Sequence, residues 1–251
     1  MTPLESSVWA TLYSAGNDAD NWLGKLLRQE GDFRENMEIL AEDLSHQLSY
    51  YSATAYVLPH LAALCPQLLL EDQVFLVAQM GAAIAAEADR PLEPDSEADR
   101  EFRQGLEGLR PLTERLVKSS ETARLLQEDP EIGQQFALAA LAILGDRRHA
   151  YGLYLLSGSC WQEGAAACAC GWNDEGLSLA EGPGCVVPAQ IGSWDGQSLK
   201  QEAVWLQGLL KLAGDESILP ALPMVYGGGV CPNCGRREPY WDWLFRFMAE
   251  C

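Results

Sequence analysis

Cysteine is the residue type in this chain whose spacing most directly suggests chemistry. Eight occur, at positions 65, 160, 168, 170, 185, 231, 234 and 251. Cys231-Pro-Asn-Cys234-Gly235 has the form C-P-x-C-G. That form makes a zinc knuckle: a tight turn aims backbone amides at the sulfurs, and glycine supplies the positive φ that follows. A metal holds such thiols deprotonated. One knuckle supplies two ligands and a structural zinc site needs four. The matching pair is Cys168-Ala-Cys170-Gly171, shortened to C-x-C-G. The shortening leaves Cys160 and Cys185 open as replacements for one ligand. The expected set is Cys168, Cys170, Cys231 and Cys234, holding a structural zinc ion. The insertion of about 60 residues between the pairs is tolerable, because loop closure costs little per doubling of length.

Other readings of the cysteines compete. A disulfide framework suits small secreted domains, and this chain is larger, with an acidic start and no basic leader segment. A redox pair at Cys231 and Cys234 would need a βαβ context that the pattern lacks. Inert free thiols remain the plain alternative. Cys65, on an apolar helical stretch, reads as a buried small hydrophobe.

The remaining chemistry is sparse. The three histidines, His46, His60 and His149, lie in no metalloprotease or nucleophile signature. His46 and His60 could meet across a helix pair, although polar residues at helix ends are the simpler reading. The run Gly227-Gly228-Gly229 lacks the following Lys-Ser/Thr of a phosphate loop. Adjacent carboxylates Glu42/Asp43 and Glu71/Asp72 face different sides of a helix and read as solvated surface or caps. The expectation is a non-enzymatic protein. A metal-dependent enzyme with an open zinc position is the alternative.

The elements that must position these residues are mostly helices. Residues 4–14 carry Val8, Trp9 and Leu12 at helical spacing, and Asn17-Asp18 then offers a cap. Trp22, Leu23, Leu26 and Leu27 form a stripe that Gly31 closes. Met37, Leu40, Ala41, Leu44 and Leu48 make the next. Residues 52–64 follow, with Pro59 expected to kink the helix or mark a non-α start. Helices are expected at 71–88, 97–118, 121–127, 131–144 and 147–156, with the loop RPLEPDS at 90–96. The window 131–144 is apolar nearly all round and should be central. Residues 158–195 show no helical period, many glycines and short extended candidates at 171–172 and 185–187. Helices return at 198–213, 215–225 and 240–250. The last is rich in Trp, Tyr and Phe and offers either a docked terminal cap or a homodimer contact.

Composition changes near residue 150. Residues 151–251 hold seven of the eight cysteines, six of eight tryptophans and 15 of 23 glycines. Two units are therefore expected: a helical-repeat domain at 1–157, and a Cys/Gly/Trp-rich module at 158–251 whose helices pack back on it. The net charge is −19, and residues 1–150 carry 12 Lys+Arg against 25 Asp+Glu. Such a charge argues against nucleic-acid and anionic-membrane surfaces and favours a basic protein partner through long-range steering. The longest uncharged apolar run, 73–86, is too short to span a bilayer. A soluble cytoplasmic protein is expected.

Some helix pairs are joined by very short turns, and successive pairs recur at about 40 residues, a period of HEAT and armadillo units. The phrase LSHQLSYYSATAYVLPHLAAL at 44–64 resembles the junction between paired helices in bacterial HEAT-like repeat proteins. LAGDESILPALPMVYG at 212–227 and ILGDRRHAYGLYLL at 143–156 are similar. The helical windows predict a mainly all-α fold with the Cys/Gly-rich zinc segment as a partly β or loop insert, and the resemblance implies that the helices stack as HEAT/armadillo-like antiparallel pairs. It also implies a concave protein-binding surface. Some acidic proteins of this appearance act as adaptors or as immunity proteins, for which a basic toxin such as a nuclease would be the partner.

Overall fold

The computed structural model describes residues 1–157, 164–171, 173–177, 201–214, 217–219, 222–227, 229–231, 233–238 and 242. The protein is mainly α-helical. Ten α-helices and four short strands lie among the described residues. The helices are α1 (Ala19–Arg28), α2 (Phe33–Ser45), α3 (Ala53–Leu64), α4 (Leu70–Ala86), α5 (Glu97–Lys118), α6 (Ser120–Glu128), α7 (Pro130–Leu144), α8 (Arg147–Leu156), α9 (Gln201–Ala213) and α10 (Leu222–Gly227). The strands are β1 (Gly164–Ala167), β2 (Asn173–Leu177), β3 (Gly229–Val230) and β4 (Arg237–Glu238).

Local chemistry sets many of the helix boundaries. Asp32, Ser96, Ser119, Asp129 and Asp146 each accept a hydrogen bond from a first-turn backbone amide, which satisfies a donor that the helix cannot. Pro130 occupies the start of α7, where its missing amide costs nothing. Helix α1 ends through Gln29 in the left-handed region, followed by Gly31 at φ 75°. Pro59 lies inside α3, which continues through it. The helix is not broken there, and it starts at Ala53 rather than at Pro59. The wall of α3 at Pro59 is pressed against Gly105 of α5, so packing supports what the missing hydrogen bond does not.

Two rows of stacked helices make the body. Helices α2, α4, α7 and α9 form one row, each packed on the next, while α3 lies between α1 and α5 in the second. Helix α8 packs on both α4 and α7, and α10 packs on α8. Helices α4 and α7 meet over the most extensive interface, and both are buried along most of their length. The close approach depends on Gly81. A Cβ there would lie 2.5 Å and 2.6 Å from the Cβ and Cα of Ala139.

The first segment departs from expectation. Residues 4–14 form only a short 3-10 helix, Ser7–Thr11. Trp9 donates its indole N–H to the Pro3 carbonyl at 2.9 Å and sets its ring near Tyr56 and His60. Asp43 was expected as cap or solvated surface and is instead buried. Its carboxylate accepts from the Ser14 hydroxyl at 2.5 Å and from the backbone amides of Gly16 and Asp18. It thereby fastens the N-terminal segment to α2. Removing it leaves three donors short of a charged acceptor, and hydrogen bonds to charged groups contribute about 1.5–3 kcal/mol each before relaxation. Asp43→Ala is expected to cost roughly 3 kcal/mol in urea unfolding. Glu42→Ala, one residue away and exposed, should change stability little. Equal effects would mean that Asp43 does not anchor the segment.

No helix among the described residues is long and apolar enough to cross a membrane. The terminal aromatic stretch 240–250, apart from Asp242, lies outside the described residues, as do the extended candidate 185–187 and residues 198–200. Of the window 215–225, α10 and the turn before it are described.

Candidate metal centre

Each of the two cysteine pairs sits in the turn of an antiparallel hairpin. Cys168 and Cys170 lie between β1 and β2, and Cys231 and Cys234 between β3 and β4. The first hairpin follows α8 closely in the chain, and the second follows α10. Gly171, a candidate extended residue by sequence, is instead the left-handed residue of the turn, at φ 85°. Gly235 takes the same role in the second turn, at φ 71°. The Gly171 amide donates to the Cys168 carbonyl at 2.9 Å, and the Gly235 amide to the Cys231 carbonyl at 2.8 Å. Any β-carbon at these φ values would strain the turn.

The two knuckles face each other. The Sγ atoms of Cys168 and Cys234 are 3.7 Å apart, as are those of Cys170 and Cys231. All four sulfurs lie within 4.8 Å of one another. A disulfide would require about 2.05 Å, and none of the described cysteines is so bonded. Four sulfurs placed tetrahedrally around an ion at about 2.3 Å stand about 3.8 Å apart. The cross-pair spacing fits that geometry. Cys168 and Cys231 are buried, whereas Cys170 and Cys234 are exposed. The Asn233 amide donates to Cys170 Sγ at 3.5 Å.

Burial pushes the Cys168 thiol up to about 12, although the Cys170 backbone amide favours its thiolate. Such a crowd of sulfurs cannot ionise together in the absence of positive charge. A divalent cation reverses this, since it stabilises every thiolate it ligates. These four residues can therefore hold a metal ion. Cys160, Cys185 and Cys251 lie outside the described residues. Cys65 is buried at the end of α3, and burial raises its thiol to about 12, consistent with an inert hydrophobe.

The histidines are placed apart. His46 pairs with Glu42, and the His60 ring nitrogen lies 2.7 Å from the Thr2 carbonyl. No His46–His60 site is formed. His149 on α8 pairs with Glu202 of α9 at 2.8 Å, and the Tyr226 hydroxyl of α10 donates to the same carboxylate oxygen at 2.9 Å. The His149 and Tyr226 rings stack with centroids 4.0 Å apart. The Asp146 amide donates to the other oxygen of Glu202. No sequence signal flags this cluster, because its three side chains, His149, Glu202 and Tyr226, are separated by 24 residues or more. It fastens α9 and α10, and so the second knuckle, to the start of α8.

Burial opposes the ionisation of Glu202, but its bonds to His149, Tyr226 and the Asp146 amide outweigh this and hold its pKa below the usual carboxylate range. A carboxylate depressed in the folded state contributes stability above its unfolded pKa and loses it as pH falls through the folded value. Acid should therefore loosen α9 and α10 as pH drops below about 4.3. Glu202→Gln is expected to flatten that part of the pH–stability curve. An unchanged slope below that pH would show that the cluster carries no such linkage.

Comparison with protein-family models, with characterised proteins and with solved structures finds no match to this chain.

Proposed function

We propose that the chain is a HEAT-like helical-repeat scaffold that binds a basic protein partner, with one zinc ion held by Cys168, Cys170, Cys231 and Cys234 as a structural staple. The observation that carries the scaffold reading is the pair of stacked rows, α2–α4–α7–α9 and α1–α3–α5. In HEAT-type arrays, successive helix pairs stack so that each row presents one continuous face, and that face is used for binding. Helix α9 continuing the first row fits the resemblance of its following segment to a repeat unit. The net charge of −19 selects a basic partner. An immunity or adaptor role toward a basic protein is the form of this reading that the sequence resemblance favours.

Four thiolates support a structural ion over a catalytic one. They fill a tetrahedral zinc and leave no position for water or substrate. The described cysteines, none of them disulfide-bonded, also suit a reducing compartment. The scaffold reading is tested by affinity capture with the intact chain at about 0.05 M and 0.5 M salt. Basic proteins retained at low salt and released at high salt are expected. Acidic partners, or retention indifferent to salt, would overturn it.

A further inference from the structure

Two hollows flank an exposed ridge of α2. The first, about 420 Å³, lies against α2, α4 and α7 and is lined in part by Glu38, Glu42, Gln79, Glu131 and Gln135. Buried Tyr154 reaches it from α8, with its hydroxyl 3.4 Å from the Gln135 carbonyl. The second hollow, about 510 Å³, shares Glu38 and Glu42 and adds Asp18, Trp22 and Ile39. Among the described residues no lysine or arginine lines either, although the Lys25 ammonium lies 3.6 Å over the Trp22 ring.

Some carboxylates nearby have basic partners: Arg34 of α2 bridges Glu71 and Asp72 of α4, and Arg124 pairs with Glu128 on α6. Glu38 and Glu131 have no basic partner among the described residues, and Glu42 has only His46. The carboxylates are also spread out: among the described residues, only the four cysteines gather closely enough to share one metal ion. Their complement is therefore a series of separate cations rather than a single ion. Glu38 and Glu42 stand one helical turn apart, about 6 Å along the axis, a spacing that two basic side chains of one peptide segment can match. The hollow beside Trp22 and Ile39 is mostly apolar, which suits a nonpolar side chain next to those cations.

We propose that the α2 ridge and its two hollows form the docking surface for a Lys/Arg-bearing segment of a partner protein. Its cations would meet Glu38, Glu42 and Glu131, and an apolar side chain would enter beside Trp22 and Ile39. This rests on the scaffold reading and places the partner on it. The test uses a fluorescein-labelled peptide of alternating arginine and leucine, with the full-length chain and binding read by anisotropy. The triple variant E38Q/E42Q/E131Q is compared with E93Q/E107Q/E114Q, which makes the same charge change at exposed sites on and just before α5. The ridge variant is expected to bind about tenfold more weakly, as the loss of several exposed ion pairs implies. The control should bind within about twofold of the parent. Equal weakening in both, no change in the ridge variant, or no binding by the parent would overturn the proposal. Displacement of the peptide by an equal concentration of spermidine would also overturn it, because a small polyamine would then satisfy the site. If both variants still retain a salt-sensitive basic protein equally, the scaffold reading stands and this placement fails. Circular dichroism on each variant excludes unfolding as the cause.

Discussion

Protein purified without chelator is expected to carry one zinc per chain, and Cys231→Ser to lose it. Serine is a poor zinc ligand, and Cys231 is buried at the start of its turn, facing Cys170 across 3.7 Å. Its loss leaves three thiols that no longer close the site. Structural zinc contributes on the order of 10 kcal/mol to small metal-dependent folds, more than any single packing contact can. The two hairpins are short, and the second is held by only two paired residues per strand. An ion held by the four thiols would cross-link them. The response should be local. Hydrogen exchange should rise at β3, β4 and α10, while α4 and α7 stay protected, because their buried interface lies within the helix rows. Far-ultraviolet circular dichroism should keep most of its helical signal. Less than about a tenth of a zinc per chain, with all eight thiols titrating freely in the folded protein, would show that the cysteines bind no metal.

Gly81→Ala should lower the melting temperature by about 4–8 °C, a loss of roughly 2 kcal/mol. Two effects oppose each other. Alanine is the better helix former by about 1 kcal/mol. The new methyl would, however, lie 2.5 Å from the Ala139 Cβ and 2.6 Å from its Cα. Ala139 belongs to the wall of α7 and cannot swing aside like a long side chain, so α4 and α7 must separate. Overpacking of this kind costs about 1–3 kcal/mol, and more where backbone must move. The clash therefore outweighs the propensity gain. Gly208→Ala on α9 is the control. Among the described residues nothing lies within 4 Å of its added carbon, so propensity alone acts and the protein should become slightly more stable. A Gly81→Ala protein that melts at or above the parent would mean that the two helices are not in contact at this point.

Periodicity and capping chemistry suffice for much of the helical layout. Residues 97–118 and 147–156 read as helices with the bounds that α5 and α8 have, because Ser96 and Asp146 cap them and Ser119 and the glycine-rich stretch follow. The apolar window at 131–144 corresponds to α7, which is buried at its centre as its composition demands. The two cysteine pairs were likewise legible, since a knuckle is a local motif with its glycine in place. Residues 4–14 show where this stops. Their apolar spacing suits a helix, yet Trp9 is held by Pro3 and by rings from α3, so tertiary contacts override propensity.

The chain alone specifies its helices, its acidity and its two metal-type turns, because each arises from residues a few positions apart. Only the folded structure decides which parts meet. It brings Cys168 to Cys234 and Cys170 to Cys231 across more than 60 residues. It turns Asp43 from apparent surface into a buried anchor for residues 14–18. It assembles His149, Glu202 and Tyr226 from three helices, and it lets Gly81 set the approach of α4 to α7. The physical reason is that these contacts depend on how helix rows stack. Stacking is fixed by shape and close packing over the whole body, which local pattern does not encode.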